Sequence, residues 1–109
     1  MPTDVLLVMC NHPHPEQALA IAEILVQEGL AACVSVGAKV TSVYEWDGRM
    51  EQTEEWPLLI KTCGSRYPEL EQRLKELHPY EVPEIIGIPT AAGSAAYLEW
   101  VIACTTPGA

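Results

Sequence analysis

Residues 40 to 49 read Val40-Thr41-Ser42-Val43-Tyr44-Glu45-Trp46-Asp47-Gly48-Arg49. The first seven are rich in β-branched and aromatic side chains, which suit a pleated, half-buried surface. Asp47-Gly48 is a strong short hairpin signal, because both central positions of a type I′ turn need positive φ. The chain is therefore expected to reverse there and to run antiparallel from Arg49 to Thr62. Pro57 interrupts the return strand and confines that point to an edge or a bulge. Upstream, the outgoing strand reads back to Ala31 with a break at Gly37-Ala38. The 14 residues from 49 to 62 would span ~45 Å at ~3.3 Å each. A compact domain of 109 residues has a diameter nearer ~34 Å. The hairpin outgrows its own body. It must bend at Gly37-Ala38 and Pro57, or project and pair with another subunit, which would also remove an exposed edge; both are expected.

Working outward, Val5 to Cys10 is a continuous apolar run, the pattern of a strand buried on both faces. It is expected to stop at Asn11-His12-Pro13-His14-Pro15, where prolines deny a sheet its amide donors. Ala18, Ile21, Ala22 and Leu25 then form one helical stripe, with Gly29 as its C-terminal stop. Beyond the hairpin, Tyr67, Leu70, Leu74 and Leu77 mark a second helix, with Ser65 as a possible cap. Ile85 to Pro89 reads as a strand, and Ser94 can cap a last helix carrying Tyr97, Leu98, Val101 and Ile102. The order is β-α-β-β-α-β plus a C-terminal helix. That is a ferredoxin-like α+β sandwich with an extended central hairpin and helices on one sheet face, a single domain over residues 1–109.

Fifteen acidic against six basic residues give a net charge of −9. That balance repels a phosphate backbone, so no nucleic-acid partner is expected. No run approaches a membrane-spanning length, and the start lacks a basic n-region and a long apolar core. Cys10, Cys33, Cys63 and Cys104 show no Cys-x-x-Cys spacing, which argues against a zinc knuckle or redox pair. The expectation is reduced thiols in the cytoplasm.

Several stretches together resemble one family. "LAACVSV" at 30–36, "TSVYEWDG" at 41–48, "LLIKT" at 58–62, "KELHPYEVPEI" at 75–85 and "YLEW" at 97–100 look like the CutA family of divalent-cation tolerance proteins, in order from Val5 to Trp100. The resemblance implies a ferredoxin-like subunit, a tight homotrimer built on the long hairpin, and binding of copper or another divalent cation. The family also resembles the PII signalling trimers, which read small metabolites. Ser35 stands where members commonly have Asn, and Gly37-Ala38-Lys39 replaces a more usual Pro-Gly at the bend.

In "HPYEVPE", residues 78–84, Pro79 and Pro83 push their preceding residues into extended geometry. His78, Glu81 and Glu84 supply one imidazole and two carboxylates, a donor set suited to copper or zinc. The same residues also fit a stiff connector in which Tyr80 packs and His78 caps the helix. Cys10 ends the first strand, and a thiolate is a good copper ligand; a buried core thiol is the other reading. In the ferredoxin-like order the end of strand 1 lies beside the start of the last strand, so Cys10 and Glu84 are expected to meet beside a cleft at a subunit boundary. His12 and His14 read as a solvated turn, with an exposed transition-metal site as the alternative, and Cys33 and Cys104 read as core. Val43, Tyr44, Trp46 and Trp56 read as trimer-interface anchors, with a cross-strand cluster within one subunit as the alternative. Trp100 reads as packing. No nucleophile–base–orienter set is recognisable around Cys10, acylphosphatase chemistry lacks its anion loop, and RNA-recognition aromatics are missing. The expected function is binding, not catalysis: a metal-tolerance trimer, or a PII-like trimer with a metabolite in its inter-subunit clefts.

Overall fold

The computed structural model describes residues 3 to 107. Met1, Pro2, Gly108 and Ala109, the ends of the expected domain span, lie outside the described residues. The elements are β1 (Val5–His12), α1 (Pro15–Gln27), β2 (Cys33–Val36), β3 (Val40–Trp46), β4 (Arg49–Cys63), α2 (Tyr67–Leu77), β5 (Ile86–Pro89) and α3 (Ala95–Thr105). The strands lie in the order β2-β4-β1-β5, with β3 on the outer length of β4. Every pairing is antiparallel. The two β-α-β halves thus interleave in a ferredoxin-like sheet.

The hairpin turns where its residues allow it. Asp47 has φ 54 and Gly48 φ 75, as a type I′ turn requires. Pairing runs from Trp46↔Arg49 to Val40↔Glu55 and resumes at Val36↔Leu58. Between those points residues 37–39 face residues 56 and 57, a bulge that bends the strand. The Gly37 N–H donates to the Pro57 carbonyl at 2.8 Å. A Cβ on Gly37 would meet the Pro57 ring at 3.0 Å, so the glycine lets the proline close over the bend. Pro57 therefore sits at a bulge. Because β1 ends at His12↔Trp56, β3 and outer β4 continue alone as a two-stranded arm. The molecule measures 45 × 28 × 23 Å: it both bends and projects.

β1 runs two residues further than expected. Asn11 and His12 precede the prolines, keep their backbone groups, and ladder onto Pro57 and Trp56. His12 is consequently buried rather than part of a solvated turn, while His14 is exposed and occupies the N-cap of α1 ahead of Pro15 without a side-chain capping bond. At the far end of α1 the Leu30 N–H reaches the Leu25 carbonyl at 2.9 Å, and the Gly29 N–H reaches Val26 at 3.1 Å. That is a Schellman motif on a glycine at φ +70.

α1 and α2 pack on one sheet face, through Leu25, Leu70 and Leu74 against Val8, Leu58 and Ile60. α3 does not join them. It lies on the opposite face, with Val101 against Val5 and Ala32, so the expectation of one helical face fails for the third helix. Its inward stripe is Leu98-Val101-Thr105. Tyr97, Trp100 and Cys104 form a second stripe on the outside, where Trp100 stacks on Tyr97 with ring centroids 5.6 Å apart. Trp100 and Cys104 are exposed, not core; the helix is apolar all round, and periodicity could not choose its inner face. Cys33 is half-buried, near Lys61. Neither serine caps as expected. Ser94 occupies the N-cap of α3, but its side chain makes no capping bond. Ser65 falls in a 3-10 turn, and Arg66 takes the N-cap of α2.

Candidate functional site

His78 closes α2, its N–H bonded to the Leu74 carbonyl at 2.9 Å. Pro79 then forces it into extended backbone, at φ −87 and ψ 139. Its ring is held at both nitrogens. Nδ1 accepts the Tyr80 N–H at 3.1 Å, which leaves the proton on Nε2, donated to the Asn11 carbonyl at 2.7 Å. His78 thereby pins the 79–84 loop to the end of β1, with its ring 5.0 Å from His12 and 4.8 Å from Tyr80.

Glu55, on β4, makes the second tether. The Tyr80 hydroxyl donates to its Oε2 at 3.0 Å, and the Ser42 hydroxyl to its Oε1 at 2.6 Å. The carboxylate is 7% exposed and joins loop, arm and sheet. Burial, the bond to Glu55 and the charge of Glu55 push the Tyr80 phenol up to about 12, so it keeps its proton and remains a donor.

Cys10 lies beneath this network, 1% exposed. Burial first, then the charges of Glu84 and Glu55, push its thiol up to about 12. In the β1–β5 register, Met9↔Ile86 brings Glu84, two residues before Ile86, to the level of the β1 end. His12, two residues on along β1, is fully buried. Its Nδ1 accepts the His14 N–H at 2.9 Å, and its Nε2 has no partner. Burial holds its imidazole below the ordinary range, with His78 and His14 adding to the effect.

Between the loop and the arm opens a cleft of about 790 Å³, walled by Tyr44 and Trp46 on one side and by Tyr80, Glu81 and Glu84 on the other. Of the sequence-derived candidates, Glu81 and Glu84 line the cleft, Cys10 lies buried off its lining, and both nitrogens of His78 are engaged. Among the described residues no three His, Cys, Asp or Glu side chains form a group spaced to hold a metal ion. Thiol and carboxylates suit a divalent transition cation, provided the cation displaces a firmly held thiol proton. One chain supplies that set only in part, and His78 would have to release two hydrogen bonds to join it.

On the arm, Val43 is 59% and Trp46 64% exposed. The Tyr44 hydroxyl bonds that of Thr53 at 2.7 Å, a cross-strand contact within the subunit. Trp56 is half-buried, opposite His12 in the ladder. Sequence reasoning missed Glu55 and Ser42. The signal was present: strand alternation puts Val40, Ser42, Tyr44 and Trp46 on one face, and the turn at 47–48 pairs Glu55 with Val40 on that face.

A family model described as CutA1 divalent ion tolerance protein matches residues 6–104. The divalent-cation tolerance protein CutA of Thermus thermophilus is 44% identical over 95 residues, covering 87% of this chain and 92% of that protein. The human protein CutA is 39% identical over 101 residues, and the match spans 93% of this chain but 56% of the human one. The crystal structure of CutA1 from a psychrotrophic Shewanella superposes with a TM-score of 0.93 at 39% identity, over 97% of this chain and 99% of that one. The Thermus thermophilus structure gives 0.91 at 42%, over 93% and 98%. On sequence and fold alike, the chain belongs to the CutA1 divalent ion tolerance protein family.

Proposed function

We propose that the chain assembles as a homotrimer that binds a divalent transition cation, copper first, at the root of the arm, as the binding step of metal-ion tolerance. The observation that carries this reading is the cleft at the root of the arm, lined by Glu55, Glu81 and Glu84, at the level of the β1 end that carries Cys10. Cys10 and Glu84 would hold the ion, and a neighbouring subunit would complete the donor set that one chain leaves short. Two exposed apolar surfaces support assembly: the Val43 and Met50 side of the arm, and the open sheet face with Leu59, Ile86 and Ile88. The reading is non-catalytic. A thiol raised to about 12 is no nucleophile near neutrality, and its one hydrogen-bond contact is a weak one to the Asn11 carbonyl. A cytoplasmic setting goes with it, since all four cysteines are free thiols.

The PII-like alternative draws support from the cleft, which is large enough for a small organic molecule. Its carboxylates, however, repel an organic anion. Copper titration at neutral pH, with trimer mass monitored, tests the metal reading. Cys10→Ala and Glu84→Gln should each weaken binding by about ten-fold or more. If both variants stay trimeric and keep the parent's affinity, the reading fails.

A further inference from the structure

The cleft is built for more than a bare ion. An ion a few ångströms across leaves most of about 790 Å³ unused, and that volume falls in the range of small-molecule pockets. Its walls come from two sources. β3 contributes Val43, Tyr44 and Trp46, and the loop contributes Pro79, Tyr80 and Val82. Both phenol hydroxyls are already committed, Tyr80 to Glu55 and Tyr44 to Thr53. What these residues still offer a ligand is ring surface.

The charged lining has a single sign. Glu55, Glu81 and Glu84 line the cleft, and among the described residues no Lys, Arg or His does. An organic anion would meet only repulsion. A neutral apolar ligand would strip water from carboxylates without pairing them, which is unfavourable. An inorganic cation would use the oxygens and leave the aromatic wall idle. A cation with a greasy body satisfies both halves: the charge pairs with carboxylate, and its polarised methyl or methylene groups lie on the aromatic faces.

We propose that this cleft binds a small organic cation, an ammonium compound with a quaternary or tertiary head and a short apolar body. The inference shares Glu84 with the metal reading, and organic-cation binding measured with chelator present separates the two.

The test uses the full chain in its solution assembly, with chelator present to keep metal out. Choline is titrated beside dimethylbutanol, its uncharged carbon isostere, and binding is followed by ligand-observed NMR and tryptophan fluorescence. Choline should bind at least about ten-fold more tightly than the isostere, in keeping with a desolvated cation–aromatic contact. Trp46→Leu keeps apolar bulk and removes the indole, and should weaken choline by about three- to ten-fold. Glu84→Gln keeps size and removes charge; it should weaken choline while leaving the isostere unchanged, and it serves as the second variant should Trp46→Leu disturb assembly. Equal affinities for choline and its isostere would overturn the proposal, as would choline binding that is undetectable in the millimolar range or unaffected by Glu84→Gln.

Discussion

Cys10 and His12, two residues apart on β1, face the same interior and respond to pH in opposite senses. The Cys10 thiol is held near 12 by burial and by the negative charges of Glu84 and Glu55. Deleting either charge favours the thiolate, so Glu84→Gln and Glu55→Gln should each lower the Cys10 titration point. The pH dependence of alkylation, or the Cβ chemical shift, reads this directly; an unmoved or raised value would mean the carboxylates do not reach the sulfur. His12 is held below its ordinary 6.5. The unfolded chain therefore binds more protons as pH drops through that range, and stability should fall with it. His12→Leu should flatten the acid slope by up to about 1.4 kcal/mol per pH unit, read from urea midpoints on either side of the histidine range. Identical slopes would exclude His12 as the source. The placing of Glu84 level with the β1 end was legible in the sequence, because strand direction alone places one strand's end beside another's start. The role of Glu55 was not, since it needs the register of β3 on β4. His12 was misread because the prolines after it mask a ladder that continues up to them.

At the scale of elements, local chemistry decided most boundaries. The Asp47-Gly48 turn, the Gly29 stop and the Pro57 interruption each follow from what a backbone position can adopt. The bulge at residues 37–39 reconciles a strand that reads as continuous with one that must bend. Gly29 gives a quantitative check: at φ +70 a Cβ is strained, and Gly29→Ala should cost about 1 kcal/mol. Chemical denaturation measures this, and an unchanged midpoint would contradict the Schellman cap. The inner face of α3 was the least legible feature. Two apolar stripes run along it, and only packing against Val5 and Ala32 selects Leu98-Val101-Thr105. The failed caps differ in cause: the 3-10 turn puts Arg66 in the place expected for Ser65, while Ser94 holds the N-cap without turning its hydroxyl to the open amides.

At the scale of the molecule, the conflict between hairpin length and domain diameter was visible in the sequence, and the 45 Å long axis is its outcome. Met50, 73% exposed, stands beside Glu45 in the ladder, and Val43 lies on the same side of the arm. A lone subunit would leave that surface and the open sheet face in water, an arrangement typical of an interaction site. The proposed assembly and cation binding would be linked, because the arm proposed to join subunits also carries Glu55 and the cleft wall. The most direct test is copper calorimetry on the parent and on Val43→Asp, with mass from light scattering and helix content from circular dichroism on the same samples. The parent should run at about three times 11.9 kDa and bind copper. Val43→Asp should keep its helices, fall to a smaller species and lose about ten-fold or more in affinity. A folded Val43→Asp monomer that binds copper as tightly as the parent would contradict the account.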